Sequence, residues 1–206
     1  NKELLNLAKK EGYAVGAFNI NNMEILQAIV SAGEVEKSPA IIAVSEGAIQ
    51  YAGFPYIVSM VRTAAEQASI SLSLHLDHGK DMEIIRSCIE NGFTSVMIDG
   101  SHLEFQKNIA ITKEVVEMAR KKGVSVEGEL GRLKGIEDKV SASEIEAFLT
   151  DPQATEEFVK KTGVDTLAIA IGTSHGAYKF KGEAKLDFER LKEIAQRVDI
   201  PLVLHG

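Results

Sequence analysis

The sequence predicts an α/β barrel of repeated strand-helix units, on three observations. Short apolar runs alternate with longer amphipathic segments from one end to the other, which is the pattern of helices packed on a parallel sheet. Run after run ends on a polar or ionisable residue. No Pro/Gly/Ser-rich linker or low-complexity tract interrupts the series, so residues 1–206 read as a single domain.

The elements follow in order. The first strand, Ala14 to Asn19, precedes a helical pattern carried by Met23, Leu26, Ile29 and Val30. The second and third, Ala40 to Ser45 and Leu72 to Leu76, end on Ser45 and on Asp77-His78. A fourth covers Ser95 to Asp99. Val115, Val116 and Met118 then mark a helix, and Arg120-Lys121-Lys122-Gly123 suits its C-terminus. The fifth strand, Val124 to Glu129, opens a stretch to Lys161 that is long for one strand-helix unit; its polar, Gly-containing part, Gly131 to Lys139, reads as a mobile loop. Thr166 to Ile171 is the sixth strand, followed by Ser174-His175. Pro201 to His205 is the seventh. Parallel α/β barrels gather the carboxyl ends of their strands on one face, where residues from distant parts of the chain form an active site. Seven such ends point to a (β/α)8 TIM barrel, which needs an eighth strand and typically about 250 residues. The C-terminal part of the domain is therefore expected to be missing. A doubly wound sheet is the structural alternative, but no Gly-x-Gly-x-x-Gly turn follows the first strand, where Asn19-Ile20-Asn21-Asn22 stands instead.

Composition narrows the function. The 206 residues hold 23 Lys+Arg against 30 Asp+Glu, a formal net charge of −7, which excludes a basic nucleic-acid binder as the default. With 45% hydrophobic and 26% charged residues the chain can bury a sizeable core. Runs such as Ala40 to Val44 fall far short of the roughly 20 residues a membrane span requires. No apolar stretch of signal-peptide kind follows Asn1-Lys2-Glu3, and a cytoplasmic protein is expected. The single cysteine, Cys88, has no disulfide partner within the chain and reads as a small buried hydrophobe.

Chemistry concentrates at the strand ends. Of five histidines, His78, His175 and His205 follow strands three, six and seven. Taken singly each could be a satisfied structural residue. Three neutral imidazoles on one face, with a fourth position open, make a catalytic zinc site able to polarise a carbonyl. His75 shares strand parity with Asp77, whereas His78 falls at the turn; His75 reads as packed or as supporting a ligand, and His102 as an exposed loop residue. Asp77 could orient a metal ligand or act as a general base. Glu137-Asp138 could be a solvated acidic pair or a carboxylate delivered by loop closure. Asp99 and Glu129 could take a second metal position or bond to neighbouring backbone and lysine groups. No Gly-x-Ser-x-Gly elbow supports Ser/His/Asp hydrolysis, and Cys88 lies in a predicted helix away from the strand ends.

The motifs at these positions resemble those of the class II, zinc-dependent fructose-1,6-bisphosphate aldolases, with tagatose-1,6-bisphosphate aldolases as near relatives. The likeness runs through Gly12-Tyr-Ala-Val-Gly-Ala-Phe-Asn19, Ser45-Glu-Gly-Ala48, His75-Leu-Asp-His-Gly79, Gly92 to Asp99, Val126-Glu-Gly-Glu-Leu-Gly131, Gly135-Ile-Glu-Asp138, Gly172-Thr-Ser-His-Gly176 and Leu202-Val-Leu-His-Gly206. It covers essentially the whole chain. The resemblance implies that His78, His175 and His205 hold the zinc, with Asp99 and Glu129 as an alternative, resting metal position. It implies that Asp77 exchanges a proton with the C4 hydroxyl and that Glu137 handles the C3 proton. Asn19 and Ser45 match substrate contacts, and Gly176 and Gly206 match glycines whose backbone lies near the dihydroxyacetone phosphate group. A monovalent cation (Na+ or K+) near that phosphate and a homodimer or homotetramer are implied in the same way.

Rival readings leave marks of their own. A class I aldolase would want a lysine on a strand, and no predicted strand contains one. A barrel amidohydrolase would want an early His-x-His, which is absent. A non-catalytic accessory subunit would be expected to lose part of the set Asp77, Glu137 and three histidines, all of which are retained. Fructose and tagatose bisphosphates differ only at C4. The loop Gly131 to Asp138 and Lys179-Phe-Lys-Gly182 are more similar to the fructose enzymes.

Overall fold

The computed structural model describes residues 1–131, 149–172 and 186–205. The chain falls into two compact units, residues 1–98 with 115–126, and residues 99–114 with 127–206.

The first unit opens with helix α1 (Lys2–Glu11), whose C-cap Gly12 takes the left-handed backbone at φ 77° that a side chain would resist. Strand β1 (Gly16–Asn19), helix α2 (Met23–Glu36), strand β2 (Ala40–Ser45), helices α3 (Glu46–Ala52) and α4 (Phe54–Gln67), strand β3 (Leu72–Gly79), helix α5 (Met82–Glu90) and strand β4 (Ser95–Ile98) follow in turn. Short polar side chains start the helices: Asn22 Oδ1 accepts from Ile25 N at 2.9 Å, Ser45 Oγ from Ala48 N at 3.2 Å and Asp81 Oδ1 from Glu83 N at 2.8 Å. The four strands pair in parallel and in chain order. β2 and β4 are buried along nearly their whole length, as expected of parallel strands covered on both faces, whereas β1 is exposed. The core here is Ile42, Val44, Ile57, Leu76, Ile85, Val96 and Met97. Cys88 is fully buried on α5 as anticipated, and burial, aided by the negative charge of Glu46, pushes its thiol up to about 12.

Helix α6 (Phe105–Arg120) and strand β5 (Ser125–Leu130) contribute residues to both units. The second unit adds helix α7 (Pro152–Thr162), strand β6 (Thr166–Ile169), helix α8 (Phe188–Arg197) and the two-residue strand β7 (Leu202–Val203). Asp151 and Asp187 cap α7 and α8 by accepting from Gln153 N and Arg190 N at 2.8 and 2.9 Å. β5, β6 and β7 pair in parallel, again in chain order. Phe158, Leu167, Ile171 and Ile194 are fully buried at its core.

Strand-helix alternation with parallel pairing is therefore as the sequence predicts. Two strands depart most, and the first is β3, which reaches Gly79 rather than stopping at Leu76. β7 is in contrast shorter than the five residues expected. Gly131 falls at the edge of the described residues, and the rest of the predicted loop lies outside them.

Candidate active site

The end of β3 carries the first half of the predicted set. Its pairing with β4 matches Leu76 to Val96 but Gly79 to Ile98, so three steps along β3 face two along β4. That is a β-bulge, the device that re-aims a side chain near functional sites. His78 sits in it with φ 49°, one of only two non-glycine residues at positive φ among the described residues. Regular alternation would send Asp77 and His78 to opposite faces. The bulge instead brings His78 Nε2 to 3.9 Å from Asp77 Oδ1. A Cβ on Gly79 would stand 2.6 Å from the Met97 carbonyl oxygen, so the chain can return to the ladder only through glycine.

Neighbouring strands complete this half. Asn19 at the end of β1 donates from Nδ2 to Asp77 Oδ2 at 2.8 Å, fixing which way the carboxylate faces. Ser45 pairs with Asp77 in the strand register while its hydroxyl caps α3. Glu46 was not anticipated: its Oε1 accepts from Lys80 N at 2.7 Å and Asp81 N at 2.8 Å, bracing the turn that leaves His78. His75, expected as a packed residue, is buried with Nδ1 2.9 Å from Ser95 Oγ. His102 is exposed in the loop after β4, as read from the sequence.

The second unit holds Asp99, Glu127 and Glu129. Asp99 follows β4, and its Oδ1 accepts from Ser101 N at 3.2 Å and Ser101 Oγ at 2.7 Å. Glu129 lies on β5, and oxygens of Asp99 and Glu129 come within 4.8 Å of one another. They are only 7% and 3% exposed. Two carboxylates so placed repel in a medium that screens poorly, and a bound cation is the ordinary remedy. This donor arrangement therefore fits a metal. Asn108 on α6 donates to the Glu129 carbonyl at 2.9 Å and accepts from Thr112 Oγ1 at 3.0 Å, so a buried amide pins the strand end. His205, two residues past β7, places Nε2 2.9 Å from Glu127 Oε1. Neither Asn108 nor Glu127 was expected. Glu127 shares strand parity with Glu129, a signal legible in Val126-Glu-Gly-Glu129, whereas Asn108 lies in a helical segment with no pattern to single it out. Glu137, His175, Gly176 and Gly206 lie outside the described residues.

Strand-end carboxylates, an imidazole re-aimed by a bulge and a buried acidic pair on strand-helix units with parallel pairing are the donor types that metal-dependent enzymes use. The comparisons narrow the class. The family model described as fructose-bisphosphate aldolase class-II matches residues 1–206. A fructose-bisphosphate aldolase of Helicobacter pylori (strain ATCC 700392 / 26695) is 56% identical over 205 residues, covering 99% of this chain and 67% of that protein. One from Thermus caldophilus is 52% identical over 204 residues, with the same shares. Among solved structures, the YdjI aldolase of Escherichia coli K12 superposes with a TM-score of 0.85 at 36% identity, over 100% of this chain and 71% of that one. The fructose-bisphosphate aldolase of Campylobacter jejuni, at 23% identity and a TM-score of 0.78 over 98% and 67%, shares the fold. The chain belongs to the class II fructose-bisphosphate aldolase family, and with it to the metal-dependent lyases built on the TIM-barrel type of fold.

Proposed function

We propose that this protein catalyses the reversible, zinc-dependent aldol cleavage of fructose-1,6-bisphosphate to dihydroxyacetone phosphate and glyceraldehyde-3-phosphate, in glycolysis and gluconeogenesis. The observation that carries the reading is the carboxylate of Asp77, held by Asn19 at 2.8 Å and standing 3.9 Å from His78. A general base must be oriented toward a substrate hydroxyl, and this one is oriented beside a metal-ligand candidate.

His78, His175 and His205 would hold the zinc, a set of nitrogen donors that suits that ion, and Asp99 and Glu129 would give it an alternative position. Bound there, the metal would polarise the ketose carbonyl and so favour breaking the C3–C4 bond. Asp77 takes the proton of the C4 hydroxyl as the aldehyde forms, with Asn19 keeping its second oxygen engaged. Glu137 delivers a proton to C3 in cleavage and removes it in condensation. Asn19 and Ser45 would contact the substrate, and Gly176 and Gly206 would serve the phosphate of the dihydroxyacetone half, with a monovalent cation, Na+ or K+, as its counter-ion. The described strands contain no lysine, which weighs against a Schiff-base route. No helix among the described residues is long and apolar enough to cross a membrane. A cytoplasmic homodimer or homotetramer that binds no nucleic acid completes the proposal.

The test is triose phosphate release from fructose-1,6-bisphosphate before EDTA, after EDTA and after zinc is restored, with tagatose-1,6-bisphosphate run in parallel. Loss and recovery with fructose as the better substrate supports the reading. Activity indifferent to EDTA would refute the zinc assignment. A preference for the tagatose epimer would move the substrate, and no cleavage of either sugar by folded, zinc-loaded protein would leave the accessory-subunit role.

A further inference from the structure

We propose that Glu127 is a positioning residue for His205, holding its ring as the Nε2–H tautomer and thereby committing Nδ1 to the metal. The inference rests on the reading of His205 as a metal ligand and adds a residue that the reading leaves out.

A Cβ on Gly128 would stand 2.9 Å from Phe158 Cε1 and 3.1 Å from Val164 Cγ1, so Gly128 faces α7 and the residues on either side of it, Glu127 and Glu129, face the other way. Glu127 is 3% exposed. A carboxylate removed that far from water needs a donor, and His205 Nε2 lies 2.9 Å from its Oε1. An ionised carboxylate only accepts, which puts the shared hydrogen on Nε2; in a neutral imidazole the lone pair is then on Nδ1. The ladder that holds this segment stops at Val203, paired with Ala168, two residues before His205. The ring's orientation is therefore set by side-chain contact rather than by strand pairing. Glu127 sets the tautomer and the aim of His205 together, as carboxylates behind metal-bound histidines do.

The test uses the intact protein with 15N-labelled histidine, loaded with cadmium-113, and reads which His205 nitrogen couples to the metal. Coupling through Nδ1 with a proton retained on Nε2 is expected. Zinc affinity, measured by competition with a chelating dye, should fall about 10–100-fold in Glu127→Ala, and by less in Glu127→Gln, which keeps an acceptor oxygen. Coupling through Nε2, or a Glu127→Ala affinity within twofold of wild type, would overturn the proposal. If Glu127→Ala does not fold, the Gln variant and the wild-type spectrum decide. His205→Ala separates the two levels. Unchanged zinc affinity there removes the metal-ligand reading itself, whereas a loss there with none in Glu127→Ala removes only the role of Glu127.

Discussion

The two units handle acidic side chains in opposite ways. At the end of β3, Asp77 is only half-buried and is steered by one amide, while its neighbour His78 occupies a strained backbone position. In the second unit, Asp99, Glu127 and Glu129 are sunk to 7% exposure or less. A carboxylate that must exchange protons with a substrate needs access and a defined direction. Carboxylates that hold or support a cation need the low dielectric that makes their charge count. Under the proposed reading, burial separates the carboxylate that would handle protons from those that would hold charge.

Several variants would break or sharpen that contrast. Removing the proton-handling group should have the largest effect: Asp77→Ala should lower kcat for fructose-1,6-bisphosphate cleavage by about 10²–10⁴-fold, the usual scale of general acid-base catalysis, with zinc content at the wild-type level by elemental analysis. A comparable loss of zinc would erase the distinction between the regions. Next come the two glycines beside them. Gly79→Ala meets a backbone carbonyl at 2.6 Å, whereas Gly128→Ala meets side chains at 2.9 and 3.1 Å. Both should destabilise by about 1–3 kcal/mol in urea titrations, with Gly79→Ala the worse because backbone yields less readily than a ring. Equal effects would show that the β3 turn is softer than its contacts imply. Asn19→Ala should reduce kcat/KM about tenfold, the worth of one hydrogen bond to a charged group, and leave the urea midpoint unchanged.

The smallest effect concerns Asp187. The backbone N–H of Arg190, and secondarily its guanidinium, hold this carboxyl below the usual aspartate range. A lowered folded value stabilises the protein above the unfolded pKa, near 4, and that contribution disappears as pH falls through the lowered value. Asp187→Asn keeps a capping oxygen, so its urea midpoint should trail wild type slightly at neutral pH and converge with it in acid. A gap that persisted unchanged at low pH would mean that the charge is not the cause.

Most of the architecture was legible because parallel strands buried on both faces leave continuous apolar runs, as in Ala40 to Ser45, and because polar residues interrupt those runs where they end. The strand-end residues Asn19, Ser45, Asp77, His78, Asp99, Glu129 and His205 were found by that interruption. What stayed hidden depends on geometry that no period encodes. Simple alternation gives no hint that β3 gains a residue against β4 and so turns His78 toward Asp77. Glu46 is the first residue of α3, and only the fold brings it to the amides of Lys80 and Asp81. Asn108 was hidden for the same reason. Glu137 and His175, which the proposed mechanism also requires, fall outside the described part of the chain.

The buried thiol of Cys88 gives the experimenter an unplanned convenience. A cysteine held at about 12 and shielded from solvent is mute toward maleimides at neutral pH, and the chain has no other. Two cysteines introduced on exposed helix positions, one in each unit, would therefore accept two fluorophores and no third. The wild-type background is already a spectroscopic ruler waiting for its marks, on which zinc and sugar phosphate could be watched one molecule at a time.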